Sequence, residues 1–141
     1  SIAASCGKYV TRVVDRKTNQ GQNYAIVDGG IHHLVYFGQS MAMRRPQVSL
    51  FPPRPEAEPQ NWNICGALCT VNDILVKQLP LSNLEIGDVL VFENTGAYCM
   101  TEGIGLFLSR SLPQILLRRP SGQVTSLRDP FPTRILNTPN Y

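Results

Sequence analysis

The chain has 141 residues, 43% of them hydrophobic and 16% charged, with 11 glycines and 11 prolines, a balance that fits one compact globular domain better than a disordered tail or two domains. No apolar run approaches the roughly 20 residues that cross a bilayer, and the opening stretch lacks the charged and long apolar regions of a secretory signal. A net charge of +3, from 13 basic and 10 acidic residues, is too small and too scattered for a nucleic-acid surface, and the nearest cluster, Arg118-Arg119, reads as a solvated strand edge.

Glycine and proline punctuate short segments rich in Val, Ile, Leu, Phe and Tyr, the pattern of an all-β fold: an antiparallel barrel or sandwich with at most short helical turns. Residues 8–15 form the first predicted strand, with Tyr9, Thr11, Val13 and Asp15 alternating with Val10, Arg12 and Val14. A polar turn over 17–22 leads into a second strand over 23–27, which ends at Asp28-Gly29-Gly30, where glycine permits positive φ or a close backbone approach. Further strands are predicted over 32–37 and 47–51, followed by a proline-rich surface loop over 52–60. Extended structure resumes over 61–67. Residues 72–75 can form a short turn or helical piece, because Asn and Asp cap N-termini. Residues 79–88 read as a turn delivering the apolar strand 89–92, and the last strand candidates are 114–118 and 123–127, around Pro120-Ser121-Gly122.

The four cysteines, Cys6, Cys65, Cys69 and Cys99, could make two bridges in an exported protein, but their irregular spacing favours reduced thiols in a soluble, cytoplasmic chain. Cys65 and Cys69 miss the spacing of most zinc knuckles, and His32-His33 on a strand would point to opposite faces, so no metal site is expected. No dinucleotide, P-loop or hydrolase motif is present.

Three short motifs in order carry more. Asp28-Gly29-Gly30 at a strand end, Gly66 to Asp73 with Cys69 and Asp73 in a Cys-x-x-x-Asp spacing, and Gly87-Asp88 leading through an apolar strand to Gly96-Ala97-Tyr98 resemble the C-terminal β domain of the alanine-racemase-like, pyridoxal-phosphate-dependent amino-acid decarboxylases, which include the diaminopimelate, ornithine and arginine enzymes. The resemblance spans residues 3–118. It implies a homodimeric lyase in which a TIM-like barrel carries the Schiff-base lysine while the β domain reaches the partner subunit's site. The whole of 1–141 is then expected to be that single β domain, with barrel and lysine outside this chain and no activity alone.

The resemblance also implies roles. Decarboxylation leaves an electron pair that the cofactor takes up, after which an acid returns a proton to carbon. Cys69 matches the family's proton donor; otherwise it is a small buried hydrophobe, the reading kept for Cys6, Cys65 and Cys99. Tyr98 matches the tyrosine that donates a hydrogen bond to the cofactor phosphate, or else is a core tyrosine after a turn. Asp73 matches an aspartate that holds the cysteine loop or the substrate's distal end, or is a cap. Asp28 matches an acidic position near the substrate's distal amine, or is a turn aspartate.

Departures bear on the substrate. The stretch 31–40 contains no arginine to clamp a carboxylate, and Thr70 stands where the family usually has an acidic residue for a substrate ammonium. Diaminopimelate is disfavoured, and the amino-acid substrate is free or carrier-tethered. Glu102 could replace the missing acid, or face solvent. A non-catalytic β module binding a protein partner is the alternative from another class, and racemase chemistry is a third, weakened by Cys69 standing where racemases use tyrosine.

Overall fold

The computed structural model describes residues 3, 5–36 and 46–139. The chain divides into two compact units, Ser1–Gly103 and Ile104–Tyr141, and among the described residues the structure is β with two short 3-10 turns. The first unit contains β1 (Lys8–Asn19), β2 (Gln22–Val27), β3 (Val48–Phe51), β4 (Pro59–Cys65), β5 (Ile74–Ser82) and β6 (Val89–Glu93). They form one sheet in the order β3-β6-β1-β2-β4-β5, curled into a half-barrel.

The alternation in the sequence explains which face is buried. Val13 on β1, Ala25 and Val27 on β2, Trp62 and Ile64 on β4, and Leu90 and Phe92 on β6 point inward and form the core with Leu75, Val76, Leu79, Leu81 and Leu84. Side chains on a strand alternate with period two, so one inward set commits the register of every neighbour. β1 is the axis of the sheet: Lys8–Arg12 pairs with β6 and Val13–Asn19 with β2. The register shifts between Val13 and Asp15, and such a bulge bends and twists a strand, here curling β1 from one pairing partner to the other.

Several elements differ from expectation. The turn between β1 and β2 is tighter than predicted, because strand pairing continues to Asn19↔Gln22 and leaves Gln20-Gly21 as the turn. Residues 32–36 are not a strand; His33 N–H and Leu34 N–H donate to Gly30 O (2.9 and 3.3 Å) and close a turn, while Val35 N–H donates to Cys99 O (2.8 Å), and Phe37 lies outside the described residues. His32 and His33 consequently sit side by side, ring centroids 3.9 Å apart, and not on opposite faces of a pleat. The proline-rich loop ends early, since Pro59 and Gln60 already belong to β4.

The largest miss is β5. Residues 74–75 are strand rather than turn or helix, and 79–82 are strand rather than turn. β5 contains Pro80, which lacks an N–H, but it is the last strand of its sheet, where a missing donor is tolerated, and Pro80 pairs opposite Asn61. Four of the five strand pairs in this sheet are antiparallel and one, β2 with β4, is parallel, joined by a long crossover as parallel pairing requires.

The second unit holds a hairpin, β7 (Ile115–Arg118) with β8 (Val124–Arg128), and the 3-10 turns Phe107–Ser109 and Thr133–Asn137. A Leu112–Phe131 bridge and a 2.7 Å hydrogen bond from buried Thr133 Oγ1 to Arg110 O close it. No helix among the described residues is long and apolar enough to cross a membrane.

The turn before β6 is fixed by charge. Buried Asp88 receives Arg54 through both guanidinium nitrogens at 2.6 and 2.9 Å, and its Oδ2 also accepts the Glu85 N–H at 2.8 Å. Burial alone would raise this carboxyl, but the hydrogen bonds from Arg54 and Glu85 and the charges of Arg54 and Arg16 outweigh it and hold it below its ordinary value. A depressed folded pKa stabilises the protein above the unfolded value of about 4 and loses that contribution as pH falls through the folded one. Asp88→Asn is therefore expected to lower thermal stability at pH 7 and to flatten the loss of stability below about pH 4, as followed by melting at stepped pH; parallel wild-type and variant curves would contradict this.

Candidate functional site

The three motifs become neighbours because Asp73 ties them. Its side chain is buried and lies between two loops: Oδ1 accepts the Ile31 N–H at 2.8 Å and Oδ2 the Leu68 N–H at 2.8 Å. The Asp73 backbone seals the same loop, with Gly66 N–H donating to Asp73 O (2.9 Å) and Asp73 N–H to Thr70 O (3.2 Å), and Ala67 N–H donates across to Gly29 O (2.7 Å). The carboxylate has no room for side chains around it. A Cβ at Gly30 would come within 2.5 Å of Asp73 Oδ2, and one at Gly66 would overlap both oxygens, so glycine is required at both positions by close approach.

The turn at residues 28–30 is also held from β1. Asp28 Oδ1 accepts from Thr11 Oγ1 at 2.6 Å and from Arg12 N–H at 2.9 Å. Gly29 N–H donates to Thr11 Oγ1 (3.2 Å) and Gly30 N–H to the Tyr9 hydroxyl (3.3 Å), which also meets His33 Nδ1 at 3.1 Å. Sequence reasoning missed Tyr9 and Thr11. Their alternation put both on the inward face of β1, but nothing in the sequence links that face to a turn 17 or more residues away.

On this frame the predicted residues divide. Cys69 is exposed at the tip of the Gly66–Asp73 loop, with half-buried Thr70 beside it, its Oγ1 accepting the Asn72 N–H at 3.3 Å. Tyr98 is 71% exposed, so it is not a core tyrosine. Its loop is tied to the start of β1 by Thr95 N–H donating to Gly7 O (3.0 Å) and to the 28–35 segment by the Val35–Cys99 bond. The Gly66–Asp73 loop and the Tyr98 loop thus attach to successive parts of one short segment, residues 29–35. Cys69 and Tyr98 make no hydrogen bond with each other, and among the described residues neither the Cys69 thiol nor the Tyr98 hydroxyl bonds to any other group. Asp28 heads the same segment, but one of its oxygens is committed to β1.

The cysteines sort by environment. All four are free. Burial pushes the half-buried Cys65 thiol up, with the Asp73 charge adding to it, and burial pushes up Cys99, with Glu102 adding; both are kept protonated as small apolar groups. Cys6 is exposed and its thiol donates to Ala3 O. Cys69 alone stands at the tip of a motif loop. Among the described residues no cluster of three or more His, Cys, Asp or Glu could hold a metal ion.

Residues 2–96 match the family model described as the pyridoxal-dependent decarboxylase, C-terminal sheet domain. Over 124 residues the chain is 34% identical to an L-glutamyl-[BtrI acyl-carrier protein] decarboxylase of Niallia circulans, which covers 84% of this chain and 29% of that protein. Over 101 residues it is 33% identical to a probable chloroplastic diaminopimelate decarboxylase of Oryza sativa subsp. japonica, covering 72% of this chain and 20% of that one. Its fold is shared with the crystal structure of Helicobacter pylori diaminopimelate decarboxylase complexed with L-lysine, at a TM-score of 0.78 and 23% identity over 96% of this chain and 32% of that chain. The curled sheet is therefore that of the decarboxylase β domain, and the chain belongs to the pyridoxal-dependent decarboxylase C-terminal sheet family. It spans less than a third of the length of the curated relatives it matches.

Two outcomes follow from the Asp73 tie and the Tyr9 hydroxyl. Asp73→Ala leaves two backbone N–H groups without their acceptor and is expected to destabilise the fold by about 2–6 kcal/mol, at about 1–3 kcal/mol per stranded donor, with faster hydrogen exchange at residues 28–31 and 66–73; unchanged exchange there would mean the loops are held otherwise. Burial pushes the Tyr9 phenol up to about 12, a raised folded pKa whose stabilisation is complete below the unfolded value of about 10 and is lost as pH climbs through the folded one. Ultraviolet titration should show a late phenolate step near 12 that is missing in Tyr9→Phe.

Proposed function

We propose that the chain serves as the C-terminal β domain of a full-length pyridoxal-phosphate-dependent amino-acid decarboxylase, presenting Cys69 as proton donor and Tyr98 as phosphate ligand to an active site shared across a homodimer. The observation that carries this reading is the pairing of anchored loops and exposed tips: one loop is tied by the buried Asp73 carboxylate and the other by backbone hydrogen bonds to Gly7 and Val35, and each holds out one reactive group with no partner among the described residues. A site on such a frame is pre-organised for a ligand that another part of the enzyme supplies.

The residues fit the cofactor. A 71% exposed phenol on a loop bearing only Gly96 and Ala97 before it can approach a phosphate and donate its hydrogen bond. Pyridoxal phosphate, when bound, supplies the electron sink that lets carbon dioxide leave. Cys69 then gives its Sγ–H proton to the substrate carbon and is reprotonated from solvent. Asp73 positions Cys69 through the backbone of its loop. Asp28 and half-buried Thr70 lie beside this region and are read as lining the substrate's distal end at the interface. The single-domain span of 1–141, with the Schiff-base lysine on a barrel outside it, and a cytoplasmic setting, consistent with four free thiols, belong to the same reading.

The substrate is read as an amino acid held on a carrier protein. Neither a basic clamp in residues 31–40 nor an acidic residue at position 70 is present for a free diamino acid. The relative acting on a carrier-bound glutamate also matches over 124 residues, against 101 for the diaminopimelate relative.

In the full-length enzyme Cys69→Ala should leave cofactor affinity within about twofold and lower kcat by about 10²–10⁴-fold, the usual contribution of a positioned general acid, with scrambled protonation of the product in deuterium oxide. A wild-type rate and product would remove Cys69 from this role. Tyr98→Phe should weaken cofactor retention by about 1.5–3 kcal/mol, the range for a hydrogen bond to a charged acceptor, read by cofactor absorbance during dialysis; unchanged retention would return Tyr98 to a role in the surface alone.

A further inference from the structure

The charge of the chain is unevenly divided. Residues 104–141 contain five arginines, Arg110, Arg118, Arg119, Arg128 and Arg134, against the single acid Asp129, a net +4, which leaves the rest of the chain at −1. The one acid is occupied within its own unit, accepting from Ser126 Oγ at 2.9 Å and from Gln114 Nε2. Arg118 and Arg119 close the end of β7, flanking the turn of the β7–β8 hairpin. Both are exposed, and neither makes a salt bridge among the described residues.

The hairpin pairs this charge with apolar surface. Residues directly opposite on an antiparallel pair share a face, so Arg118 stands beside Val124, and Leu116 lies on that face opposite Ser126. Leu116 and Val124 are each 55% exposed and Leu127, on β8, 62%. Exposed aliphatic residues rimmed by arginine are the composition of a protein interface and not of a solvated edge.

We infer that the β7–β8 hairpin is the docking surface for the acidic carrier protein that delivers the substrate, with Arg118 and Arg119 engaging its carboxylates and Leu116 and Val124 packing on its apolar surface. Charge complementarity selects this occupant: a basic tip with no acids of its own to spare attracts an acidic protein and speeds its arrival. The inference rests on the carrier-bound substrate proposed above and adds where that carrier binds.

The test uses the full-length holoenzyme with two probes, a fluorescently labelled acyl carrier protein loaded with L-glutamate and the same amino acid on free pantetheine. Wild-type enzyme should bind the loaded carrier with an affinity that falls at least tenfold between about 50 and 300 mM salt, as screening of exposed charges requires. Charge reversal by R118E/R119E should weaken carrier binding at least tenfold and remove most of that salt dependence, while KM and kcat for glutamyl-pantetheine stay within twofold. Equal carrier affinity in wild type and variant overturns the docking surface while leaving the carrier-bound substrate standing. Turnover of free amino acids with no carrier binding by wild type overturns the carrier reading and the docking surface with it. Loss of the dimer in the variant, read by sedimentation, or an equal loss of activity on both probes, also overturns docking and assigns the hairpin to an interface within the enzyme. L116S/V124S, which keeps both arginines, should weaken carrier binding and leave salt dependence intact.

Discussion

A single buried carboxylate organises the candidate site. Asp73 accepts one backbone N–H from each of two loops, and those loops come from segments more than 30 residues apart in sequence. Backbone amides removed from water require acceptors, and charge-assisted bonds to a carboxylate are stronger than neutral ones. The glycines around it complete the arrangement: at Gly30 and Gly66 the absence of a side chain is what lets two backbones close on one acid. The position of Cys69 is thus set by an interaction four residues away, and the loop tip can be exposed without being loosely attached.

A second layer comes from β1. The strand that carries the inward set Tyr9, Thr11 and Val13 uses its apolar member for the core and its polar members for the turn after β2. Core packing and site geometry are therefore products of the same register, and a slip of one residue along β1 would undo both. The bulge after Val13 lets that one strand serve two neighbours.

Much of this was legible in the sequence, unevenly. Strands with clear alternation, such as β1, β2 and β6, announced themselves, and the three motifs identified the loops. What escaped was whatever depended on position within the sheet. Pro80 argues against a strand only if the strand is central, and nothing local says that β5 lies at an edge. Residues 32–36 have the composition of a strand, but their N–H groups find Gly30 O and Cys99 O instead of a ladder. At the site, the residue types were readable and their burial was not: whether Tyr98 was core or surface, and which atoms Asp73 would face, depends on long-range contacts that no spacing encodes. Thr11 and Tyr9 went unnoticed for the same reason.

The close fit of two glycines around Asp73 also bears on how such a domain can change over evolutionary time. Substitution at any one of the three positions opens a hole or forces a collision, so a change at one requires a compensating change at the others. Thr70, Val71 and Asn72 are under no such restraint: Val71 is 88% exposed and none of the three side chains enters the core. The side chain that anchors this short loop and the side chains it turns to solvent are therefore different residues. Residues 70–72 can therefore change side chain without disturbing the hydrogen bonds by which Asp73 closes the loop.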